Sequence, residues 1–118
     1  MSNNNLAPDG FNFIQESHGI NEYNLKSNGL RVLTLSDRSA PVATFMVTYH
    51  VGSRNEAIGY TGSTHLLEHL MFKGSRNFNK EKGTAIWDEL QSIGAQINAT
   101  TWNDRTNYFE VVPSEHLE

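Results

Sequence analysis

Residues 62–74 have the sequence GSTHLLEHLMFKG, which carries the most informative pattern of the chain for fold and function. Its apolar residues recur at spacings that fit a helix from Thr64 to Phe72 better than the alternation of a strand. Gly74 follows at the position where helices commonly end in a left-handed residue. We therefore predict a helix whose leucines face the core and whose polar stripe faces a cleft.

The polar stripe of this helix carries His65, Glu68 and His69. Residues four apart lie about 40° from each other around a helix, so the two imidazoles project from one face with Glu68 beside them. Such a pair can hold one zinc ion, and the carboxylate can take a proton from a zinc-bound water. The spacing therefore predicts a metal-dependent hydrolase. The alternative from these residues alone is a pair of solvent-facing histidines.

Strands are predicted on the N-terminal side of this helix. Residues 42–51 are rich in β-branched and aromatic residues, which favours a largely buried strand. The Asn28-Gly29 dipeptide predicts a hairpin turn between two short strands within residues 23–35. Residues 1–22 are rich in Asn, Gly and Ser, and we expect a loosely ordered N-terminal leader there. Arg54 and Glu56 are interpreted as a loop ion pair.

A second helix and a second hairpin are predicted on the C-terminal side. The helix is expected to begin near Asn77 or Asn79 and to run to Ile93, although Gly83 weakens its first turns. From Ala95 the apolar period becomes two, which predicts a hairpin that ends at Pro113.

The composition excludes several classes of protein. The formal net charge is −4 and the nine Lys and Arg form no tract, so a nucleic-acid partner is not expected. The chain has no cysteine, so a metal site must use histidine and carboxylate ligands. No apolar run approaches the ~20 residues of a membrane span, and residues 1–10 lack the features of a secretory signal. We expect a soluble protein, with a cytoplasmic location favoured.

Five segments together resemble the N-terminal domain of a known family. They occur in that domain's order and comprise residues 28–32, 49–56, 62–74, 94–101 and 104–108. The family is the pitrilysin or insulinase family of zinc metallopeptidases, whose inverted zinc motif is His-x-x-Glu-His. The resemblance covers about residues 25 to 118.

The resemblance implies roles for the residues of the motif. By resemblance, His65 and His69 are zinc ligands and Glu68 is the general base. The family's third ligand is a Glu roughly 75 residues beyond the second His, which falls past Glu118. We therefore expect residues 23–118 to be the N-terminal portion of a longer catalytic domain, and the 118 residues alone to be inactive.

The resemblance also implies a fold and a way of binding substrate. The implied fold is α+β, an antiparallel-rich β-sheet with helices packed on one face, similar to that of the mitochondrial processing peptidase. In this family the strand corresponding to residues 96–101 lies beside the zinc and pairs with an extended substrate, so Asn98 and Ala99 are candidate substrate-binding residues. The alternative for Asn98 is a residue that bonds its own backbone.

The function implied by the resemblance is that of a zinc-dependent metalloendopeptidase. It would hydrolyse peptide bonds in peptides or unfolded protein segments, with one zinc ion per site. Its expected partners are the substrate and the remaining domains of the parent chain or a related subunit. The alternatives are a non-catalytic structural or substrate-presenting homologue of the same family, and an interaction domain with a fortuitous histidine pair.

Overall fold

The computed structural model describes residues 7–117, and contacts along the chain divide it into two units, Met1–Ala40 and Pro41–Glu118. The first unit contains three strands, β1 (Phe11–Ser17), β2 (Ile20–Leu25) and β3 (Arg31–Leu35). They form an antiparallel sheet in the order β1-β2-β3.

The hairpin between β2 and β3 confirms the prediction made from Asn28-Gly29. Gly29 has a φ of 74°, in the left-handed region that glycine tolerates best. The side-chain oxygen of Asn28 accepts a hydrogen bond from the Leu30 N–H at 2.9 Å, which closes the turn locally.

The prediction of a loosely ordered leader is wrong for residues 11–22, because β1 and the start of β2 lie there. The rings of Phe11 and Phe13 meet Tyr23 edge-on, with centroids 6.4 and 5.7 Å apart. These aromatic contacts and the β1–β2 hydrogen bonds stabilise a strand that the Asn-rich composition conceals. Residues 1–6 of the predicted leader lie outside the described residues.

The second unit combines a three-stranded sheet with two helices. Its strands are β4 (Val42–Tyr49), β5 (Gln96–Thr101) and β6 (Thr106–Pro113), which pair antiparallel in the order β4-β6-β5. Its helices are α1 (Ser63–Met71) and α2 (Ile86–Ser92). The predicted α+β fold with an antiparallel sheet is confirmed.

Both helices lie on the same face of this sheet. The ring of Phe72, just after α1, packs edge-on against Trp87 of α2 at 5.5 Å and near Tyr108 of β6 at 6.0 Å. An apolar pocket of about 270 Å³ remains between the helices and the sheet. It is lined by residues of both layers, among them Phe45, Val47, Met71, Ile86 and Ile97.

Helix α2 begins later than predicted. The Asn79 side chain caps a separate 3₁₀ turn, Lys80–Lys82, by accepting the Glu81 N–H at 2.7 Å. Gly83 then adopts a φ of 68°, which interrupts the helical path, and α2 starts only at Ile86. Among residues 7–117, no helix has both the length and the apolar character needed to cross a membrane.

The orientation predicted for α1 is wrong within the described residues. Leu66, Leu67 and Leu70 are 51–59% exposed, whereas Glu68 is only 8% exposed. The reason is that α1 packs on β5 with the side that carries Glu68, which leaves the leucines facing away from the sheet. The sequence pattern correctly indicates an amphipathic helix, but the leucines do not form the face that packs on the sheet.

Candidate active site

The two histidines of α1 lie together on one exposed face. Their Nε2 atoms are 3.1 Å apart and their ring centroids are 4.7 Å apart. This proximity follows from the four-residue spacing on a regular helix. The predicted adjacency of the two imidazoles is therefore present in the structure, whereas Glu68 is buried and not exposed on the same stripe.

The distance between the two nitrogens fits a shared zinc ion. Zinc binds imidazole nitrogen at about 2.0–2.1 Å with tetrahedral angles, which places two such nitrogens about 3.3 Å apart. The observed 3.1 Å is close to this value. In the part of the chain that the structure describes, no group of three or more His, Cys, Asp or Glu is arranged to hold a metal. The spacing of His65 and His69 is compatible with two positions of a zinc site, and their role as ligands remains a prediction.

Glu68 is held against the sheet by a hydrogen bond across the fold. The hydroxyl of Thr101 on β5 donates to Oε2 of Glu68, 33 positions away in the chain. A hydroxyl donor stabilises the ionised carboxylate and limits its rotation. Sequence reasoning did not assign a role to Thr101. The available signal was its alternation with Ile97 and Ala99, which puts the three on one face of β5.

The pKa of Tyr108 on β6 also reports on the environment of Glu68. Burial raises the pKa of the Tyr108 phenol, and the nearby negative charge of Glu68 raises it further, with a smaller contribution from Tyr49. The Tyr108 and Tyr49 rings meet edge-on at 6.0 Å. Glu68 therefore lies on a partly desolvated sheet surface, where its charge acts on its neighbours more strongly than in water.

Strand β5 pairs on only one side within residues 7–117, with β6, so its other edge is unpaired there. Asn98 lies exposed on this strand, and its Oδ1 accepts the Ala99 N–H at 2.8 Å. This contact agrees with the alternative in which Asn98 bonds its own backbone. The substrate-binding roles of Asn98 and Ala99 remain a prediction.

The interpretation of Arg54 and Glu56 as an ion pair is wrong. Among the described residues, Arg31 forms an ion pair with Glu22, and Arg54 forms none with Glu56. The Glu56 carboxylate instead accepts two backbone N–H groups at the start of α1. A helix terminus with unpaired N–H groups competes effectively for a carboxylate, because the interaction is a charge-assisted hydrogen bond.

Replacing Thr101 by Val should lower the free energy of unfolding by about 1.5–3 kcal/mol, the usual contribution of a hydrogen bond to a charged group. Valine keeps the shape of threonine but leaves the buried Glu68 carboxylate without this donor. Urea unfolding of the full-length protein measures the change. Thr100→Val is the matched control, because Thr100 is exposed at the next position of β5. Equal losses in both variants would contradict the prediction.

Comparison with known proteins adds independent findings. A family model described as Insulinase (Peptidase family M16) matches residues 31–118. An uncharacterized zinc protease of Streptomyces coelicolor is 38% identical over 98 residues, covering 81% of this chain and 21% of that protein. Human cytochrome b-c1 complex subunit 1 is 39% identical over 96 residues, covering 81% of this chain and 19% of that protein.

The fold has a similar counterpart among solved structures. The crystal structure of pitrilysin superimposes with a TM-score of 0.75 at 26% identity, covering 90% of this chain and 12% of that one. The chain spans about a fifth of the length of the curated relatives named above.

Proposed function

Because the chain belongs to the insulinase family of peptidases, peptidase family M16, we propose that it carries the metal-binding helix of a zinc-dependent metalloendopeptidase. The proposed substrates are peptides or unfolded segments of proteins, and the reaction is hydrolysis of the peptide bond. The proposed zinc ligands are His65 and His69, and the proposed general base is Glu68.

One observation carries this proposal. His65 and His69 present their Nε2 atoms 3.1 Å apart on one face of α1. Glu68 lies between them in the sequence, and its carboxylate accepts a hydrogen bond from the Thr101 hydroxyl. A solvent-facing histidine pair needs no such neighbour. A buried carboxylate on the helical turn that carries two adjacent imidazoles suits a site where a metal and a base act on the same water.

Each proposed site residue has its own role in the hydrolysis. When bound, zinc supplies a Lewis acid that makes water acidic enough to be deprotonated near neutral pH. Glu68 accepts the proton of the attacking water and then delivers it to the departing amine. Thr101 holds one oxygen of Glu68 through its hydroxyl, so the carboxylate is oriented before substrate arrives.

The unpaired edge of β5 is the proposed place for the substrate backbone. An extended peptide added to this edge would gain main-chain hydrogen bonds that do not depend on its sequence. Ala99 would offer its N–H, which Asn98 Oδ1 accepts in the structure, and Asn98 would turn its amide to the peptide. Thr101 lies at the end of the same strand and its hydroxyl donates to Glu68 on α1, so a peptide at this edge would pass close to the proposed base.

The complete site requires more than this chain offers. Two of the proposed zinc ligands, His65 and His69, lie among the described residues, and we propose that the third ligand and the closure around the substrate come from further domains or from a related subunit. The 118 residues alone should therefore show no measurable peptidase activity.

Zinc binding tests the proposal directly. The full-length protein should bind one zinc ion per site, and His65→Ala should weaken binding by more than about 100-fold, because loss of even an outer-shell partner costs 10–100-fold. Metal competition with a chelating dye measures the dissociation constant. His50→Ala is the control, since His50 is exposed and lies outside the motif. Unchanged zinc affinity in His65→Ala would refute the assignment of the site.

One alternative has an observation in its favour. The 39% identity to human cytochrome b-c1 complex subunit 1, named as a subunit of a complex, is compatible with a structural or substrate-presenting role for this chain. In that case the protein would show no zinc-dependent peptidase activity of its own. Peptide hydrolysis by the full-length wild-type protein, compared with Glu68→Gln, distinguishes the two.

A further inference from the structure

Helix α1 begins without a cap of its own. Its N-cap residue is Gly62, which has a φ of 91° and no side chain to accept a hydrogen bond. The first N–H groups of a helix have no partner within the helix and require an acceptor. The helix that carries His65, Glu68 and His69 must therefore be capped by another part of the chain.

Glu56 supplies that cap with both oxygens of its carboxylate. Oε2 accepts the Gly62 N–H at 2.8 Å, and Oε1 accepts the Thr64 N–H at 2.9 Å. The bond from Thr64, followed by that from Gly62, holds the pKa of Glu56 below its usual value. Thr64 immediately precedes His65, so the cap acts within one residue of the first proposed ligand.

The backbone of Glu56 is itself fixed to the β5–β6 hairpin. The Glu56 N–H donates to the Ser53 carbonyl at 3.2 Å, closing the 3₁₀ turn Ser53–Asn55. The N–H groups of Ser53 and Arg54 donate to the carbonyls of Trp102 and Asn103, at 3.0 and 2.8 Å. These two acceptors belong to the turn that follows β5. Glu56 therefore connects the start of α1 with the end of the strand beside which α1 packs.

Helix α1 thus has two attachments to the same hairpin. Glu56 and the 3₁₀ turn hold its first residues, and the bond from Thr101 to Glu68 holds its middle. Acting at two separate points, and together with the packing of α1 on β5, these attachments define the position of α1 along β5 and its rotation about its own axis.

We propose that Glu56 is a positioning residue that sets the register of α1 against β5, and thereby the direction in which His65 and His69 point. The proposal deepens the proposed function and rests on it where it concerns the metal. Glu56 itself touches neither of the two histidines in this role and acts through the backbone of Gly62 and Thr64.

Glu56→Gln is the sharpest test, because it preserves the size of the side chain. An amide has one acceptor oxygen and one NH₂ donor, so either Gly62 or Thr64 would face a donor in place of an acceptor. In the metal-free full-length protein, amide exchange within residues 62–65 should accelerate at least about tenfold. Glu81→Gln, which removes an exposed carboxylate elsewhere in the second unit, should leave that exchange unchanged.

Metal binding distinguishes positioning from simple stabilisation. Zinc affinity should fall by about 10–100-fold in Glu56→Gln, the range seen when a residue that orients a ligand is lost. At saturating Co²⁺ the visible absorption bands should also shift, because the two imidazoles meet the ion at a different angle. If Glu56→Gln fails to fold, Glu56→Asp is tested instead; it keeps the charge but is too short to reach both N–H groups.

The outcomes separate this proposal from the proposed function. Unchanged exchange at residues 62–65 would overturn it, and so would accelerated exchange with unchanged zinc affinity and unchanged Co²⁺ bands. Accelerated exchange together with weaker binding and shifted bands supports it. A wild-type protein that binds no zinc would refute the proposed function, and the exchange rates alone would then decide whether Glu56 holds the helix.

Discussion

Glu68→Gln in the full-length protein is expected to lower kcat/KM for peptide hydrolysis by about 10²–10⁴-fold while zinc remains bound, the range that general-base catalysis contributes. The glutamine oxygen can still accept the Thr101 hydroxyl, and His65 and His69 are unchanged, so fold and metal site should both persist. The substitution keeps the size of the side chain but removes its negative charge and its capacity to accept a proton. Steady-state kinetics on an unstructured peptide, together with zinc content, measure the effect.

A control comes from Glu110, a glutamate of the sheet on which α1 packs. Glu110 lies on β6, opposite Ile97 in the ladder, and lines the apolar pocket beneath the helices. Glu110→Gln should leave kcat/KM within about threefold of wild type, since no proton transfer is assigned to it. Equal losses of kcat/KM in the two variants would show that activity depends on negative charge near this sheet face in general, and not on proton transfer by Glu68. Full activity in Glu68→Gln would remove Glu68 from the mechanism, and a wild-type protein without activity would favour the non-catalytic alternative.

The elements that could be predicted from the sequence are those specified by local signals. Helix α1, the hairpin at Asn28-Gly29 and the strands β5 and β6 carry their periodicity and turn residues within a few positions. Strand β1 was missed because its stability comes from contacts with Tyr23 on the neighbouring strand. The early start predicted for α2 was wrong because Gly83, a single residue, outweighs the helical pattern around it.

In the candidate site, too, some contacts follow from neighbouring residues in the sequence and others join residues that are far apart in it. The spacing of His65 and His69 is sufficient to place two imidazoles side by side, since a helix fixes that geometry alone. The partner of Glu68 is Thr101, 33 positions away, and the partner of the helix start is Glu56, which lies 6 and 8 positions before Gly62 and Thr64. No periodicity links such pairs, and only the packing of α1 on β5 brings Thr101 to Glu68.

Among the glycines of the second unit, Gly52 leaves the least room for a side chain, at the point where it meets the turn after β5. A Cβ atom at Gly52 would lie 2.2 Å from the Trp102 carbonyl oxygen and 2.6 Å from backbone atoms of Asn103 and Asp104. Gly52 has a φ of −152°, which any residue adopts, so glycine is required here by the lack of space and not by backbone conformation. Because all three contacts are with backbone, no side chain can rotate away to make room.

Gly52→Ala should therefore destabilise the protein by about 3 kcal/mol, at the upper end of the cost of overpacking, because the 3₁₀ turn and the hairpin must separate. Separation would also break the bond from the Ser53 N–H to the Trp102 carbonyl and disturb the attachment of α1 through Glu56. Urea unfolding gives the stability, and amide exchange at residues 101–105 should accelerate with it. Ser53→Ala, which adds no atom and removes only a 3.2 Å hydroxyl contact to Asn103, should cost about 1 kcal/mol or less. If Gly52→Ala were as stable as Ser53→Ala, the 3₁₀ turn and the hairpin would not be in close contact at Gly52. The proposed attachment of Glu56 to the end of β5 would then also be refuted.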